Sequence, residues 1–386
     1  MDPVLPPEEA SSAAINDAFA TIRQDIDQRI VRDVAEFNFA IGASDTPLAP
    51  LAGHAIRGGK RFRAICAYVG AAATIGSTDD AADLLNATSL VPGIADLALT
   101  LEYYQASALT HDDVIDDSPL RRGEPSAHSS LSASHRQDGL IGSASKYGID
   151  GAILLGNMLT AAAENCLSRL VSQVQPSRAS HLLRQYSRMT GEVAQGQHRD
   201  MASGYYPISA PDQNPGDASL ARSALETVRV KSALYSVVRP AQLGAILAGA
   251  DEAFLDVLES ILEPAGLAFQ LRDDDLGAFS DQETIGKSNG SDIKERKHTV
   301  LLALTYANAN QTARDQLERV YAADTVSESD AEEVAVILER FGKRPHEELI
   351  NDLVAQSQES LKSTDLSPAS REILLHLVHI LTQRNI

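Results

Sequence analysis

The sequence predicts an all-α protein, a single large helical bundle. Three observations point there. Apolar residues recur at helical spacing along most of the chain, the strict apolar–polar alternation of half-buried strands is missing, and no repeat at solenoid spacing appears. Polar motifs gather where helical runs end, so one end of the bundle should carry the chemistry.

Taken in order, residues 1–12 are rich in proline and acid and read as a flexible start, leaving 13–386 as one domain. Ile15, Phe19, Ile22, Ile26 and Ile30 space a helix over 13–39. Pro47, Pro50 and two glycines make 42–53 a loop. Residues 64–75 read as a buried helix, 76–92 as a break and 94–117 as a long helix. The Ser-, Gly- and His-rich segment 118–147 reads mostly as loop. Helical runs follow at 149–174, 177–201, 221–250 and 253–279, with a loop at 202–219 and an interruption at 277–292. Shorter ones close the chain at 299–307, 312–321, 327–341, 346–363 and 368–384.

Composition narrows the function. With 386 residues and 44% hydrophobic content the chain can bury a sizeable core. A net charge of -20 argues against nucleic acid or an anionic membrane as a general partner. The two cysteines, Cys66 and Cys166, sit in apolar segments and read as buried thiols. The N-terminus has no basic-then-apolar signal pattern and no apolar run reaches transmembrane length, so a reducing cytoplasm is expected.

The chemistry starts at Asp112-Asp113-Val114-Ile115-Asp116-Asp117, where four carboxylates fall within six residues after an apolar run. On a helix Asp112 and Asp116 share a face one turn apart, and their repulsion calls for a cation. Hard oxygen donors suit magnesium. Phe269-Gln270-Leu271-Arg272-Asp273-Asp274-Asp275-Leu276-Gly277 repeats the arrangement. Two acid-tipped apolar helices are what a bundle needs to grip a metal–diphosphate assembly from opposite walls of a pocket.

Basic residues then appear where such a ligand needs them. Arg57-Gly58-Gly59-Lys60-Arg61-Phe62-Arg63 is a near miss for a nucleotide P-loop, which requires glycine at His54 and Ser/Thr at Arg61, so that reading is rejected. Lys60 and Arg63 can instead meet a diphosphate. Arg121-Arg122-Gly123 follows the first cluster, and guanidinium forks suit phosphate oxygens. Lys231-Ser232, Lys287 and Lys297 add isolated cations near helix ends or loops.

On these motifs the chain resembles the trans-isoprenyl diphosphate synthases, the polyprenyl synthetase family. The resemblance runs from Gly58-Gly59-Lys60-Arg61-Phe62-Arg63 through Gln105, Asp112-Asp113-x-x-Asp116 and Arg121-Arg122-Gly123-x-Pro125-x-x-His128. It continues with Gly196-Gln197-x-x-Asp200, Lys231-Ser232-Ala233, Phe269-Gln270-Leu271-x-Asp273-Asp274, and Gly286-Lys287 through Asp292 to Lys297-x-Thr299. The 231–240 stretch and Gly277 most resemble actinobacterial-type geranylgeranyl diphosphate synthases.

The resemblance implies an isoprenoid synthase-like bundle around a central apolar cavity, a homodimer, and head-to-tail condensation of isopentenyl diphosphate with an allylic diphosphate. Asp112, Asp116 and Asp273, helped by Asp113 and Asp274, would hold three magnesium ions, with manganese as the substitute. Arg121, Lys231, Ser232, Gln270, Lys287 and Lys297 would meet the allylic diphosphate, with Lys231 counted as catalytic beside Asp112, Asp116 and Asp273. Lys60, Arg63, Gln105 and Arg122 would hold isopentenyl diphosphate.

Some positions depart from the family. Gly277 stands where many members carry the last aspartate of the second motif, Ser232 replaces a common threonine, and Asn157 a usual aspartate. Arg296 stands where glycine usually precedes the lysine, which bears on how Lys297 is placed. Chain length should be set below Asp112: Ser107 and Ala108 are small, whereas Tyr103 and Tyr104 lie about 12 Å down at roughly 1.5 Å per residue. A tyrosine floor there gives an intermediate product, geranylgeranyl diphosphate; ordinary core tyrosines are the competing reading. His111 and His128 lack partners at metal-ligand spacing and read as hydrogen-bonding residues. Farnesyl or longer polyprenyl synthases, a terpene cyclase and a non-catalytic regulatory subunit are the alternatives. A cyclase would carry an Asn/Ser/Glu metal motif in place of 269–274, and a regulatory subunit should have lost aspartates.

Overall fold

A computed structural model describes residues 7–76, 78–209, 220–279 and 291–382. The fold is all-α, apart from a two-residue antiparallel ladder, β1 (Leu120–Arg121) with β2 (Glu124–Pro125). The chain divides into two compact units, Met1–Gln185 with Pro240–Leu258 and Asp365–Leu377, and Tyr186–Arg239 with Glu259–Thr364 and Val378–Ile386.

The first unit contains α1 (Pro7–Ala40), α2 (Leu48–Ile56), α3 (Phe62–Ile75), α4 (Ala81–Ala87), α5 (Ile94–Ile115), α6 (Ala127–Gln137) and α7 (Ala144–Val171). Within it α5 is central, packing on α1, α2, α3, α6 and α7. Leu97, Leu101 and Tyr103 of α5 are 0% exposed, and burying each such side chain contributes about 1.5–3 kcal/mol. Residues of α8 (Pro176–Ser203), α11 (Glu252–Phe279) and α17 (Pro368–Thr382) are shared out between the units, and α10 (Arg239–Ala248) lies in the first from Pro240 onward.

The second unit adds α9 (Leu220–Val228), which runs into a π-helical segment, Arg229–Val238. It also holds α12 (Ser291–Lys294), α13 (Val300–Asn308), α14 (Gln311–Tyr321), α15 (Glu328–Phe341) and α16 (Lys343–Ser363). Leu301, Leu302, Leu317 and Val334 anchor one of its apolar clusters, and Ala233, Ala268, Leu271 and Val300 another.

Several segments differ from the sequence expectations. The first helix starts at Pro7, inside the segment read as a flexible start. The loop expected over 42–53 contains α2, because Pro47 is the N-cap and Pro50 lies in the first turn, where a missing N–H costs nothing. The break at 76–92 contains α4, capped by the Asp80 carboxylate accepting from the Asp83 N–H. Segment 118–147 contains α6, whose buried positions are His128, Leu131, Ser132 and His135. That stripe has helical spacing but only one aliphatic residue, so hydrophobic periodicity does not reveal it. The continuous helix expected over 221–250 is interrupted by the π-helical segment.

Helices α3 and α10 cross at backbone contact. A Cβ on Gly70 would overlap the Ala241 carbonyl oxygen, and one on Gly244 would overlap that of Ala67. Neither obstacle is a flexible side-chain end, so the crossing requires glycine on both helices. Gly244→Ala is expected to lower stability by about 1–3 kcal/mol, seen as a reduced urea midpoint with an unchanged slope.

Candidate active site

The end of α5 is built from a simple alternation of burial. Tyr103, Ala106, Ser107, Thr110 and Asp113 are buried, whereas Tyr104, Gln105, Ala108, Leu109, Asp112 and Asp116 form a partly exposed stripe. Asp112 and Asp116 thus share a face, as their spacing predicts. Asp113 turns inward and meets Arg121, whose Nε donates to Oδ1 at 2.7 Å. Nη2 of Arg121 also donates to Asp112 Oδ2 at 3.3 Å. Burial pushes the Asp113 carboxyl upward, against the pull of Arg121. Burial likewise disfavours the Arg121 cation, but its bonds to Asp113 and Asp112 prevail and raise its pKa.

Arg121 ends β1, and Arg122 (φ 55) and Gly123 (φ 80) form the two-residue turn to β2. Positive φ at both positions is the geometry that matches hairpin twist. The Arg122 guanidinium is tied back, its Nη1 donating to the Arg57 carbonyl at 2.8 Å. Burial and the guanidiniums of Arg61, Arg121 and Arg63 hold the Arg122 pKa below its usual value. This is a concentration of positive charge suited to an anion. Beside it lies a cavity of about 290 Å³ whose lining includes Arg57, Arg121 and Arg122 together with apolar Leu51, Ala106 and Leu109.

Arg61 has a different role from its neighbours. Its side chain is 4% exposed and its Nη1 donates to Glu102 at 2.9 Å and to the Ile56 carbonyl at 2.8 Å. Its Nε donates to Asp27 at 2.7 Å. Arg61 adopts φ 51 at the N-cap of α3, so the pin fixes the turn between exposed Lys60 and partly buried Arg63. Nothing in the motif distinguishes this arginine from its neighbours, but an apolar helix carrying Glu102 needed a buried cation.

In the second unit, Gln270 and Asp273 are partly exposed on α11, whereas Asp274 is buried and accepts from Gln270 Nε2 at 3.1 Å. Burial, reinforced by the charge of Asp292, holds the Asp274 carboxyl well above the usual carboxylate range. Lys231 lies in the π-helical segment and forms an ion pair with Asp200. Ser232 follows it, partly buried. Glu259 reaches both ends of that segment, 3.6 Å from Arg229 Nη2 and 2.8 Å from Arg239 Nη1. Arg239 is fully buried and also bonds Glu192. Irregular helical geometry recurs at functional positions, and here it carries Lys231. Arg296 takes the positive φ (55) that glycine would supply and donates to the Ala323 carbonyl at 2.9 Å. Lys297 is held 2.6 Å from Glu295.

Two of the chain-length candidates separate from the others. Tyr103 is nine residues before Asp112, about two and a half turns at 3.6 residues per turn, and therefore lies on the opposite face. It is buried, with Asp33 and Cys166 nearby. Ser107 is buried and bonds Thr160 of α7 at 2.8 Å. Tyr104 and Ala108 keep to the partly exposed face. His111 faces the Ile153 carbonyl at 3.3 Å and His128 Nδ1 lies 3.2 Å from Ser126 Oγ, so both take part in hydrogen bonding. Asn157 is exposed. Lys287 lies outside the described residues. Cys66 and Cys166 are buried free thiols, and burial pushes both upward in pKa.

Among the described residues no group of three or more His, Cys, Asp and Glu side chains forms a metal cage of its own. Magnesium does not need one, since it keeps waters and binds through one or two carboxylates plus phosphate oxygens. The paired, partly exposed Asp112 and Asp116, and separately Asp273, fit that requirement. Among the described residues no single helix is long and apolar enough to cross a membrane.

An all-α fold with aspartates and guanidiniums gathered at helix ends defines an enzyme that handles diphosphates with divalent metal. The chain belongs to the polyprenyl synthetase family, whose model matches residues 46–338. It is 28% identical to the geranylgeranyl diphosphate synthase of Mycobacterium tuberculosis, over 86% of this chain and 88% of that one. It is also 28% identical to an all-trans-nonaprenyl-diphosphate synthase of Rhodobacter capsulatus, over 94% of this chain and 98% of that one. A crystal structure of geranylgeranyl pyrophosphate synthase from Corynebacterium glutamicum, complexed with isoprenyl diphosphate and magnesium, superposes with a TM-score of 0.80 at 29% identity. That match covers 94% of this chain and 98% of the other.

Arg61→Leu should cost about 3–5 kcal/mol by stranding buried Glu102, read from urea unfolding. Adding Glu102→Leu should recover much of that loss, and a double-mutant cycle measures the coupling.

Proposed function

We propose that this protein is a magnesium-dependent synthase that joins isopentenyl diphosphate head-to-tail to an allylic diphosphate, with geranylgeranyl diphosphate as its product. The observation that carries the reading is the partly exposed stripe of α5, which ends in Asp112 and Asp116 and is flanked by Arg121. Asp112, Asp116 and Asp273 would hold three magnesium ions on the allylic diphosphate, and manganese would serve in their place. When bound, the metal stabilises the leaving diphosphate as a Lewis acid. Asp113 contributes by holding Arg121, and Asp274 by bonding Gln270. Arg121, Lys231, Ser232, Lys287 and Lys297 neutralise or bond the diphosphate oxygens. Lys60, Arg63, Gln105 and Arg122 hold isopentenyl diphosphate, and the charge concentration around Arg122 supports that assignment.

Cleavage of the allylic carbon–oxygen bond sends its electron pair to the diphosphate and leaves a carbocation. The isopentenyl double bond supplies the electrons for the new carbon–carbon bond, and the proton then lost passes to the released diphosphate. Ala108 and Leu109 present carbon rather than water to the cation. Tyr104, two turns below Asp112 on the same face, limits the tail; burial raises its hydroxyl pKa to about 12, so it stays neutral.

Residues 13–386 act as one catalytic domain, in the cytoplasm. The active form is a homodimer; exposed Ile141, Ile153 and Leu154, at 97%, 41% and 58%, supply apolar area at the start of α7 and just before it.

Purified protein with magnesium, isopentenyl diphosphate and each allylic primer in turn should yield a C20 diphosphate by chromatography. Asp112→Ala should abolish it, and near-normal turnover by that variant would remove metal-assisted ionisation from the scheme. Tyr104→Ala should shift the product to longer chains, whereas an unchanged spectrum would rule out Tyr104 as the floor.

A further inference from the structure

We propose that Glu259 is a positioning residue for the prenyl transfer, acting through Lys231. The inference rests on the reading of Lys231 as a partner of the allylic diphosphate. Lys231 stands in the π-helical segment Arg229–Val238, and an arginine marks each end, Arg229 opening the segment and Arg239 following it. Both arginines reach the same carboxylate on α11. Arg239 Nη1 donates to Glu259 Oε2 at 2.8 Å, and Arg229 Nη2 lies 3.6 Å from Glu259 Oε1.

That convergence depends on the length of the segment. Residues ten apart on a regular α-helix are about 15 Å apart along its axis, at 1.5 Å per residue. Bonding from i to i+5 puts more residues into each turn and draws the two arginines together. Further carboxylates hold each of them in place. Arg239 is 0% exposed and forks onto Glu192 of α8, its Nε and Nη2 donating at 2.8 and 2.9 Å. Arg229 Nε donates at 2.8 Å to Glu263, one turn beyond Glu259 on α11.

The main chain around Lys231 is seated as closely. A Cβ on Gly196 of α8 would come to 2.6 Å from the Lys231 nitrogen and 2.7 Å from its Cα. One on Gly266 of α11 would come to 3.2 Å from Ala233 Cα. The Lys231 ammonium pairs with Asp200, one turn beyond Gly196 on α8. If the segment reverted toward α-helix by one residue, Lys231 would turn by about 100° relative to Arg239, at 3.6 residues per turn. Its ammonium would then leave Asp200. By bridging the two ends, Glu259 sets the angle at which the cation is presented.

The test uses the full chain with magnesium, isopentenyl diphosphate and farnesyl diphosphate, read as kcat and KM. Glu259→Gln should lower kcat by about 10–100-fold, the scale of a small misplacement at a reacting centre, and leave the KM for isopentenyl diphosphate within about twofold. Arg229→Gln, at a side chain 30% exposed, releases the other end and should do the same, and it carries the comparison if Glu259→Gln does not fold. In a Lys231→Ala background either change should cost no more than about twofold, because the cation they displace is already gone. If Lys231→Ala lowers kcat while folded Glu259→Gln and Arg229→Gln do not, the proposal fails and the reading of Lys231 stands. Equal losses in both backgrounds would mark a general packing role and overturn it as well. If Lys231→Ala keeps the parent kcat, the reading of Lys231 fails and takes the proposal with it.

Discussion

Crowding carboxylates at the end of a buried apolar helix is unfavourable unless cations lie within reach, and the Arg121 fork answers that constraint on α5. It binds Asp113 closely and Asp112 at longer range, which separates two adjacent aspartates into a buried one and a partly exposed one. The two-residue turn at Arg122 and Gly123 puts a second guanidinium beside the first. Charge balance at this helix end therefore organises α5, the hairpin and the turn before α3 together.

The same reasoning accounts for the rest of the polar interior. Arg61 with Glu102, and Arg239 with Glu192 and Glu259, are buried pairs whose value is geometric rather than energetic, since well-packed apolar residues often do as well for stability. The first sets the turn between Lys60 and Arg63. The second spans the segment that carries Lys231.

Much of this was legible in the sequence. The i, i+4 spacing of Asp112 and Asp116 placed them on one face, and the apolar run before them gave α5 nearly its full length. What escaped reading followed other rules. Helix α6 buries histidine and serine, so its stripe carries little hydrophobic signal. Helix α2 begins at prolines, which read as loop residues until their position in the first turn is known. Tyr103 and Tyr104 are neighbours in sequence but face different surroundings, which residue spacing from the carboxylates had to be converted into angle to show. Arg61 could not be separated from Lys60 and Arg63, because a buried pin and a ligand-binding cation are the same residue type in one basic run.

The glycine crossing of α3 and α10 has a mechanical consequence. Gly70 lies two turns from the start of α3, where Arg63 is rooted, and its backbone rests directly on that of Ala241. Interlocked main chains leave no cushion of side chains through which the rods could slide. Adjustment ahead of Arg63 would therefore fall on the short strap before α3, in which Gly58 and Gly59 hold φ of 72 and 90. The rod holds the root of Arg63 at a fixed station, and the tie from Arg122 to the Arg57 carbonyl holds the strap against the hairpin.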